Sequence, residues 1–333
     1  YEAILTFDER DDLPRPNGVW DLGSSEAAEF AKLAETTYRD VNIGLANEFA
    51  RYADTLGVDI GAVIAASNSQ PFSHIHSPGI AVGGHCIPVY PRLYLSTDPA
   101  ATIPRTARER FVPALEAATS MTCGTDFFVC HSPERVSSGT VFRDLRLYPK
   151  LVGGVDEASG RRAVEFYEAI LTFDERDDLP RPNGVWDLGS SEAAEFAKLA
   201  ETTYRDVNIG LANEFARYAD TLGVDIDAVI AASNSQPFSH IHSPGIAVGG
   251  HCIPVYPRLY LSTDPAATIP RTARAANAAM PTYAIDRLEA AVGDRLGGSF
   301  ADSTVGIWGV AYRGGVKEDA FSGAYPLREE LAK

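Results

Sequence analysis

Residues 26–57 read EAAEFAKLAETTYRDVNIGLANEFARYADTLG, and residues 192–223 read the same. Phe30, Leu33, Val41, Leu45, Phe49 and Leu56 fall at helical spacing, which predicts one amphipathic helix. Ser25, in Gly23-Ser24-Ser25-Glu26, is the expected N-cap, and Glu26 and Glu29 suit the positive end of the helix dipole. Gly57 stands where a helix commonly leaves by a left-handed residue. About 31 residues at ~1.5 Å rise make a helix of roughly 45 Å, a length typical of a central spine or a subunit interface. GVDIGAVIAASNS then predicts a second, shorter helix. PFSHIHSPGIAVGGHCIPVYP, rich in Gly and Pro, predicts a loop.

The identity extends well beyond the helix. Residues 1–108 recur at 167–274, offset by 166, with Gly61 against Asp227 as the only difference. The unit is too long and too well preserved for a solenoid repeat. The chain opens at Tyr1 inside a phrase that the second copy carries as AVEFYEAILTFDERDD, so its start is expected to lie mid-element. The seam falls near Arg108/Glu109. A recent duplication or an assembly accident is the plainer reading, and a selected tandem module is the alternative.

Between the copies, TDFFVCHSPERV predicts a buried strand over Phe127 to Cys130, KLVGGV (150–155) a second strand and DEASGRRAVEFYEAIL a helix, the tail of an α/β sheet. After the second copy, AANAAMPTYAIDRLEAAVGDRL predicts a helix. STVGIWGVAYRGG predicts a strand and a Gly-bearing turn, the opening of a doubly wound domain that is expected to stop about one helix later.

Composition narrows the function. The 333 residues carry 45 acidic against 29 basic side chains, a net charge of −16. That balance argues against a nucleic-acid partner, because phosphate backbones need Lys/Arg surfaces. Apolar residues make up 45%, enough to build cores. No apolar run approaches the ~18 residues of a membrane span, and no secretory signal opens the chain. Four cysteines without a dense framework point to reduced thiols and a cytoplasmic location.

Several residue groups could carry chemistry. Cys86 and its twin Cys252 lie in V-G-G-H-C-I-P, where two glycines allow close backbone approach and an adjacent His favours a nucleophilic thiol. A buried structural cysteine fits the same pattern. Lys32, Thr36 and Arg39 (Lys198, Thr202 and Arg205) share one helix face, able to hold a phosphate or polarise an oxyanion, or simply to be solvated. His240, His242, His251 and Cys252 form H-x-H-x8-H-C, but without the paired spacing of strong zinc sites, so no metal is assigned. Glu134 in S-P-E-R-V follows a strand end, where ligands of α/β sheets bind; it is equally a partner for Arg135.

Together these phrases resemble the nucleotide-sugar 6-dehydrogenases, the UDP-glucose and UDP-N-acetylmannosamine dehydrogenase family. The resemblance rests on SPERV (132–136) with KLVGG (150–154), EFAKLAETTYRDVNIGLANEF (195–215), HSPGIAVGGHCIP (242–254), ARAANAAMPTY (273–283) and VGIWGVAYRGGVKEDAFSG (305–323), in the family's order. TYRDVNI followed by GGHCIP looks more like the UDP-N-acetylhexosamine branch than the UDP-glucose branch. The resemblance implies an α/β fold in which incomplete Rossmann-like pieces flank a duplicated all-α module. Residues 1–108 and 167–274 are then two copies of the central helical dimerisation and substrate domain, 109–166 the tail of an NAD-binding domain, and 275–333 a linker helix and the truncated start of a UDP-binding domain.

It further implies NAD-dependent oxidation of a UDP-sugar C6 alcohol to a carboxylate, in polysaccharide biosynthesis. Cys252 would trap the aldehyde as a thiohemiacetal that becomes a thioester. Lys198 would stabilise oxyanions, and Glu134 and Thr202 would assist. Arg205, Asn208, His242, Gly245, Gly249, Gly250 and Arg313 match substrate-contacting positions. Cys86, Lys32, Thr36 and Arg39 are the equivalents in the first copy. The implied partners are the UDP-sugar and a homodimer or internal pseudo-dimer through the central helices, with no membrane. Several features depart from the family, among them Ala320-Phe321 where an Arg is expected. Thr202 replaces a frequent Asn, and Tyr256 replaces a frequent Asp four residues after the Cys. Ile246-Ala247 stands where a glycine is usual, and Arg313 where Lys is common. No G-x-G-x-x-G turn occurs in these residues, so the NAD site reads as incomplete and the chain as inactive alone.

Overall fold

The computed structural model describes residues 10, 12–79, 106–137, 139–250 and 252–333. Helices α1 (Ser25–Leu56) and α2 (Ile60–Asn68) come first. A π-helical turn (Thr106–Phe111) leads into α3 (Val112–Thr119). Then follow β1 (Cys130–His131), α4 (Val141–Leu147), β2 (Lys150–Gly154), α5 (Glu157–Ile170) and β3 (Val185–Asp187). The second half contains α6 (Ser191–Leu222), α7 (Ile226–Ser233), α8 (Cys252–Thr263), α9 (Ile269–Ala291) and α10 (Ala324–Leu331). The protein is thus helix-rich with one small sheet. Among the described residues no helix is long and apolar enough to cross a membrane.

The two long helices form as the periodicity predicts, each 32 residues long. The cap shifts by one residue: Ser24 and Ser190, not Ser25, accept the N–H of Ala27 and Ala193. Gly57 and Gly223 end the helices at φ 66° and 67°, a conformation that costs glycine little.

The helices pack antiparallel, and several contacts between the copies are returned by counterparts 166 residues away. Tyr38 and Tyr204 share a 2.6 Å hydroxyl hydrogen bond. The rings of His74 and His240 stack at 3.7 Å. Ser67 donates to Ala197 O and Ser233 to Ala31 O. Phe30 meets Phe215 edge-on at 5.6 Å, and Phe49 meets Phe196 at 5.7 Å. Such exchange is the signature of a two-fold contact. It gives each end of the helix pair its own core, one around Phe49, Tyr52, Phe196 and Tyr260, the other around Phe30, Leu211, Phe215 and Ile230.

The sheet has the order β1-β2-β3, with β1 antiparallel and β3 parallel to β2. Leu151 and Val152 of β2 are fully buried. The glycines that follow admit the neighbouring backbones: a Cβ on Gly153 would lie 1.9 Å from Ser190 O, at the head of α6.

Three sequence expectations change. The strand placed over Phe127 to Cys130 is the two-residue β1, and Phe128 is exposed: Cys130 pairs with Gly154, the last residue of β2, so the residues before Cys130 have no strand to pair with. The strand expected in STVGIWGVAYRGG does not form. No neighbouring strand lies beside it among the described residues, and an unpaired strand leaves its backbone hydrogen bonds unmade, so Trp308 is almost wholly exposed. The loop predicted through CIPVYP becomes helical from Cys252, since Pro254 falls in the first turn where a missing N–H costs nothing.

The stacked histidines make the helix pairing acid-sensitive. Burial, then the neighbouring His240, holds His74 down to about 4, and burial also lowers His240. A base with a lowered folded pKa favours folding fully above about 6.5 and progressively less toward about 4. Replacing both rings (H74F/H240F) is expected to reduce the loss of urea stability between pH 6.5 and 4.5, relative to the parent. The difference should be on the order of 1 kcal/mol, since partial solvation screens both rings.

Candidate active site

The site is organised by a carboxylate that the sequence reading passed over. Glu201 of α6 is fully buried between three cations. Its oxygens lie 2.7 Å from Arg135 Nε, 3.4 Å from Arg205 Nη2 and 3.7 Å from Lys198 Nζ. Burial alone would raise its pKa, but Arg135, Lys198 and Arg205 together hold it below the ordinary carboxylate value. Glu201 sits three residues after Lys198 and four before Arg205 on one helical face, a spacing that could have disclosed it.

Arg135, from the loop after β1, is buried too. Beyond Glu201 it donates to Ser69 Oγ at 2.9 Å and to the carbonyls of Ala66, Ser67 and Pro149. Its guanidinium fork thereby ties the end of α2, in the first copy, to α6, in the second. A cation at the carbonyl end of a helix is favoured by the dipole.

Lys198 lies 5.5 Å from the ring centre of Tyr256. Tyr256 is one turn beyond Cys252 on α8, and burial and then the Cys252 thiol raise its pKa. Lys198 and the half-buried Cys252 thus both lie near Tyr256. Cys252 opens α8, where unpaired N–H groups favour developing negative charge. Arg205 stacks on Phe72, from the first copy, at 5.1 Å. His242 joins it: burial first, then Arg205, lowers that imidazole's pKa.

Other expected site residues are engaged elsewhere. Thr202 is fully buried and its hydroxyl donates to Lys198 O at 2.7 Å, closing its own helix turn. Asn208 donates to Tyr204 and to His240 O and accepts the His242 N–H, so it fixes the loop. Glu134 is mostly exposed, accepts the N–H groups of Arg135 and Val136, and lies 3.8 Å from Lys150. No contact described joins it to Lys198 or Cys252. Gly245 N–H donates to Asn213 Oδ1. Gly250, at φ +85°, donates to Ala320 O, and Tyr312 packs on Gly249 and Gly250. The side chain of Arg313 lies beside Gly139.

In the first copy, Thr36 donates to Lys32 O, as Thr202 does to Lys198 O. Lys32 and Arg39 reach Glu35 at 3.3 and 3.7 Å. Among the described residues no counterpart of Arg135 covers this face: the Lys32 side chain is 52% exposed, against 6% for Lys198. Cys86 and His251 lie outside the described residues.

The β2–α5 turn does not fit the pyrophosphate of NAD. In the β2–α5 turn the Asp156 carboxylate already accepts the Ser159 N–H at the head of the helix, and Glu157 follows it. Two carboxylates there repel an anion that a glycine-rich turn would admit.

The central-domain signature of the UDP-glucose/GDP-mannose dehydrogenase family matches residues 26–110 and again 192–280, together more than half of the chain. The UDP-N-acetyl-D-mannosamine dehydrogenase of Pyrococcus horikoshii is 36% identical over 230 residues, covering 69% of this chain and 52% of its own. That of Methanocaldococcus jannaschii is 36% identical over 204 residues, covering 61% and 44%. The solved P. horikoshii UDP-D-ManNAc dehydrogenase aligns at TM-score 0.61 and 33% identity, over 71% of this chain and 55% of that one. An NDP-N-acetyl-D-galactosaminuronic acid dehydrogenase of Methanosarcina mazei aligns at 0.59 and 28%, over 71% and 52%. The chain spans about half the length of these relatives.

The buried ion cluster predicts a large effect of breaking it on one side. Arg135→Met is expected to lower stability by on the order of 3 kcal/mol, because Glu201 then keeps its burial without its nearest cation. Adding Glu201→Gln should recover part of the loss; both are read from urea midpoints.

Proposed function

The chain belongs to the UDP-glucose/GDP-mannose dehydrogenase family, and from that premise we propose that it carries the thiol half of a nucleotide-sugar 6-dehydrogenase site. The observation that supports this most is that Cys252 and Lys198, the latter paired with buried Glu201, both lie near Tyr256. The substrate is a UDP-N-acetylhexosamine rather than UDP-glucose, by the names of the relatives. NAD supplies hydride acceptance in the complete reaction.

Cys252 Sγ attacks the C6 aldehyde. One S–C bond forms, the carbonyl π bond breaks, and the oxygen takes a proton to give a thiohemiacetal. Lys198 and the first N–H groups of α8 stabilise the oxyanion as it develops. Arg205 and His242 orient the sugar nucleotide, and Glu201 holds Lys198 and Arg205 in place without touching it. Glu134 stays outside this group in the present arrangement, and Thr202 acts through packing.

The second copy thus carries the chemistry and the first supplies its dimer partner. Residues 1–108 and 167–274 pair inside one chain, with 109–166 and 275–333 as parts of flanking nucleotide-binding domains. The returned contacts across Tyr38/Tyr204 and His74/His240 favour this internal pseudo-dimer. Sizing should give a compact monomer; a chain that is extended, or paired only between molecules, speaks against it.

With NAD and UDP-N-acetylmannosamine the chain alone is expected to form no sustained NADH at 340 nm, and steady turnover would refute its inactivity. The thiol is tested separately by iodoacetamide labelling. The tryptic peptides bearing Cys86 and Cys252 differ in mass through Gly61 and Asp227, so each is followed individually. The UDP-sugar should slow labelling of Cys252, and Arg205→Ala should abolish that protection. Equal labelling with and without the sugar overturns the site.

A further inference from the structure

Arg205 and His242 of the second copy both rest on one residue of the first. The Phe72 ring centre lies 5.1 Å from the Arg205 guanidinium. The Phe72 carbonyl accepts a hydrogen bond from the His242 ring, whose pKa is lowered by burial and then by Arg205. Few other contacts fix the head of Arg205. Glu201 reaches its Nη2 at 3.4 Å, and its buried Nε has no hydrogen-bond partner among the described residues. An arginine held at one nitrogen can still turn its fork, whereas a ring against its flat face fixes the plane. For His242, the bond to the Phe72 carbonyl makes one ring nitrogen the donor. The neutral ring then offers its other nitrogen as an acceptor for a hydroxyl.

Phe72 is itself anchored by the site it faces. Its turn is pinned where Arg135 donates to Ser69 Oγ at 2.9 Å and where Ser73 donates to Glu201 O at 3.5 Å. The Phe72 N–H donates to the side chain of buried Gln70 at 2.8 Å. The ring stays 41% exposed, so it stacks on Arg205 at the rim of the site rather than filling a core.

We propose that Phe72 is a positioning residue for the second copy's site: its ring orients the Arg205 fork and its carbonyl orients His242, so the sugar nucleotide is gripped only where the first copy lies against the second. This rests on the site assigned around Cys252. It gives the first copy a part in substrate recognition besides that of a packing partner.

The duplication supplies a matched control. Phe238 stacks on Arg39 at 5.0 Å, and its carbonyl meets the His76 ring in the same way. Changes at Phe72 and Phe238 therefore disturb equivalent contacts, but only the first touches Arg205.

Iodoacetamide labelling of Cys252 in the full chain, at rising UDP-N-acetylmannosamine, measures the grip as the sugar concentration that gives half protection. Phe72→Leu keeps apolar bulk without a ring face and is expected to raise that concentration about tenfold. Phe72→Tyr keeps the ring and should stay within about twofold of the parent, as should Phe238→Leu. The labelling rate without sugar should be the same in all of them. Should Phe72→Leu unfold the chain, Phe72→Met carries the same expectation. Protection that survives the loss of the ring overturns the role of Phe72 and leaves the Cys252 site standing, and so does an equal loss from Phe238→Leu. Absence of protection in the parent removes the site itself, and this role with it.

Discussion

The hydrogen bond between the hydroxyls of Tyr38 and Tyr204 joins a residue to its own duplicate. With Phe30 against Phe215 on one side of it and Phe49 against Phe196 on the other, this meeting fixes two copies of one helix crossing in opposite directions with matched registers. Each hydroxyl is also reached by the amide of an asparagine one turn along, Asn42 or Asn208, whose oxygen in turn holds a loop N–H at His76 or His242. The central contact and the two loops are therefore one polar network, buried and satisfied, and such networks specify a single arrangement. Once it forms, Ser67 and Ser233, Phe49 and Phe30, and Arg205 and Arg39 all fall into place opposite the other copy.

Identical sequence does not produce identical surroundings. Val185–Asp187 is a strand because β2 lies beside it, whereas the same Val-Trp-Asp at 19–21 is irregular, with Trp20 only partly covered and Trp186 buried. Lys198 and Glu201 are sealed under the loop that carries Arg135, while Lys32 and Glu35 meet water. The 109–187 segment breaks the symmetry by sealing Lys198 and Glu201 while leaving Lys32 exposed. The chemical difference between the halves lies in their neighbours.

Much of the candidate site was legible in the sequence. Lys198, Arg205, His242 and Cys252 were singled out from spacing and resemblance; in the fold Lys198 and Arg205 both reach Glu201, His242 lies near Arg205, and Cys252 and Lys198 both lie near Tyr256. The spine helices, α7, β2 and α5 were also readable, since periodicity, caps and β-branched runs are local signals. The roles of Thr202, Asn208 and Glu134 were not. Whether a hydroxyl, amide or carboxylate faces a ligand or its own backbone depends on which donors surround it, and these three were claimed by a helix carbonyl, a loop and two adjacent N–H groups. Glu201 and Arg135 were missed for the converse reason: their importance comes from burial opposite each other across 66 residues of chain.

The sequence by itself determined the duplication, the helical spines with their glycine ends, and the family, because each follows from residue types at short spacing. Only the tertiary structure decided that the copies embrace one another inside a chain, that one lysine is buried and its twin is not, and that the C-terminal Ile-Trp-Gly-Val stretch stays unpaired. Burial and strand pairing are properties of what lies alongside a segment, and a stretch of residues carries no record of its neighbours until the chain has folded.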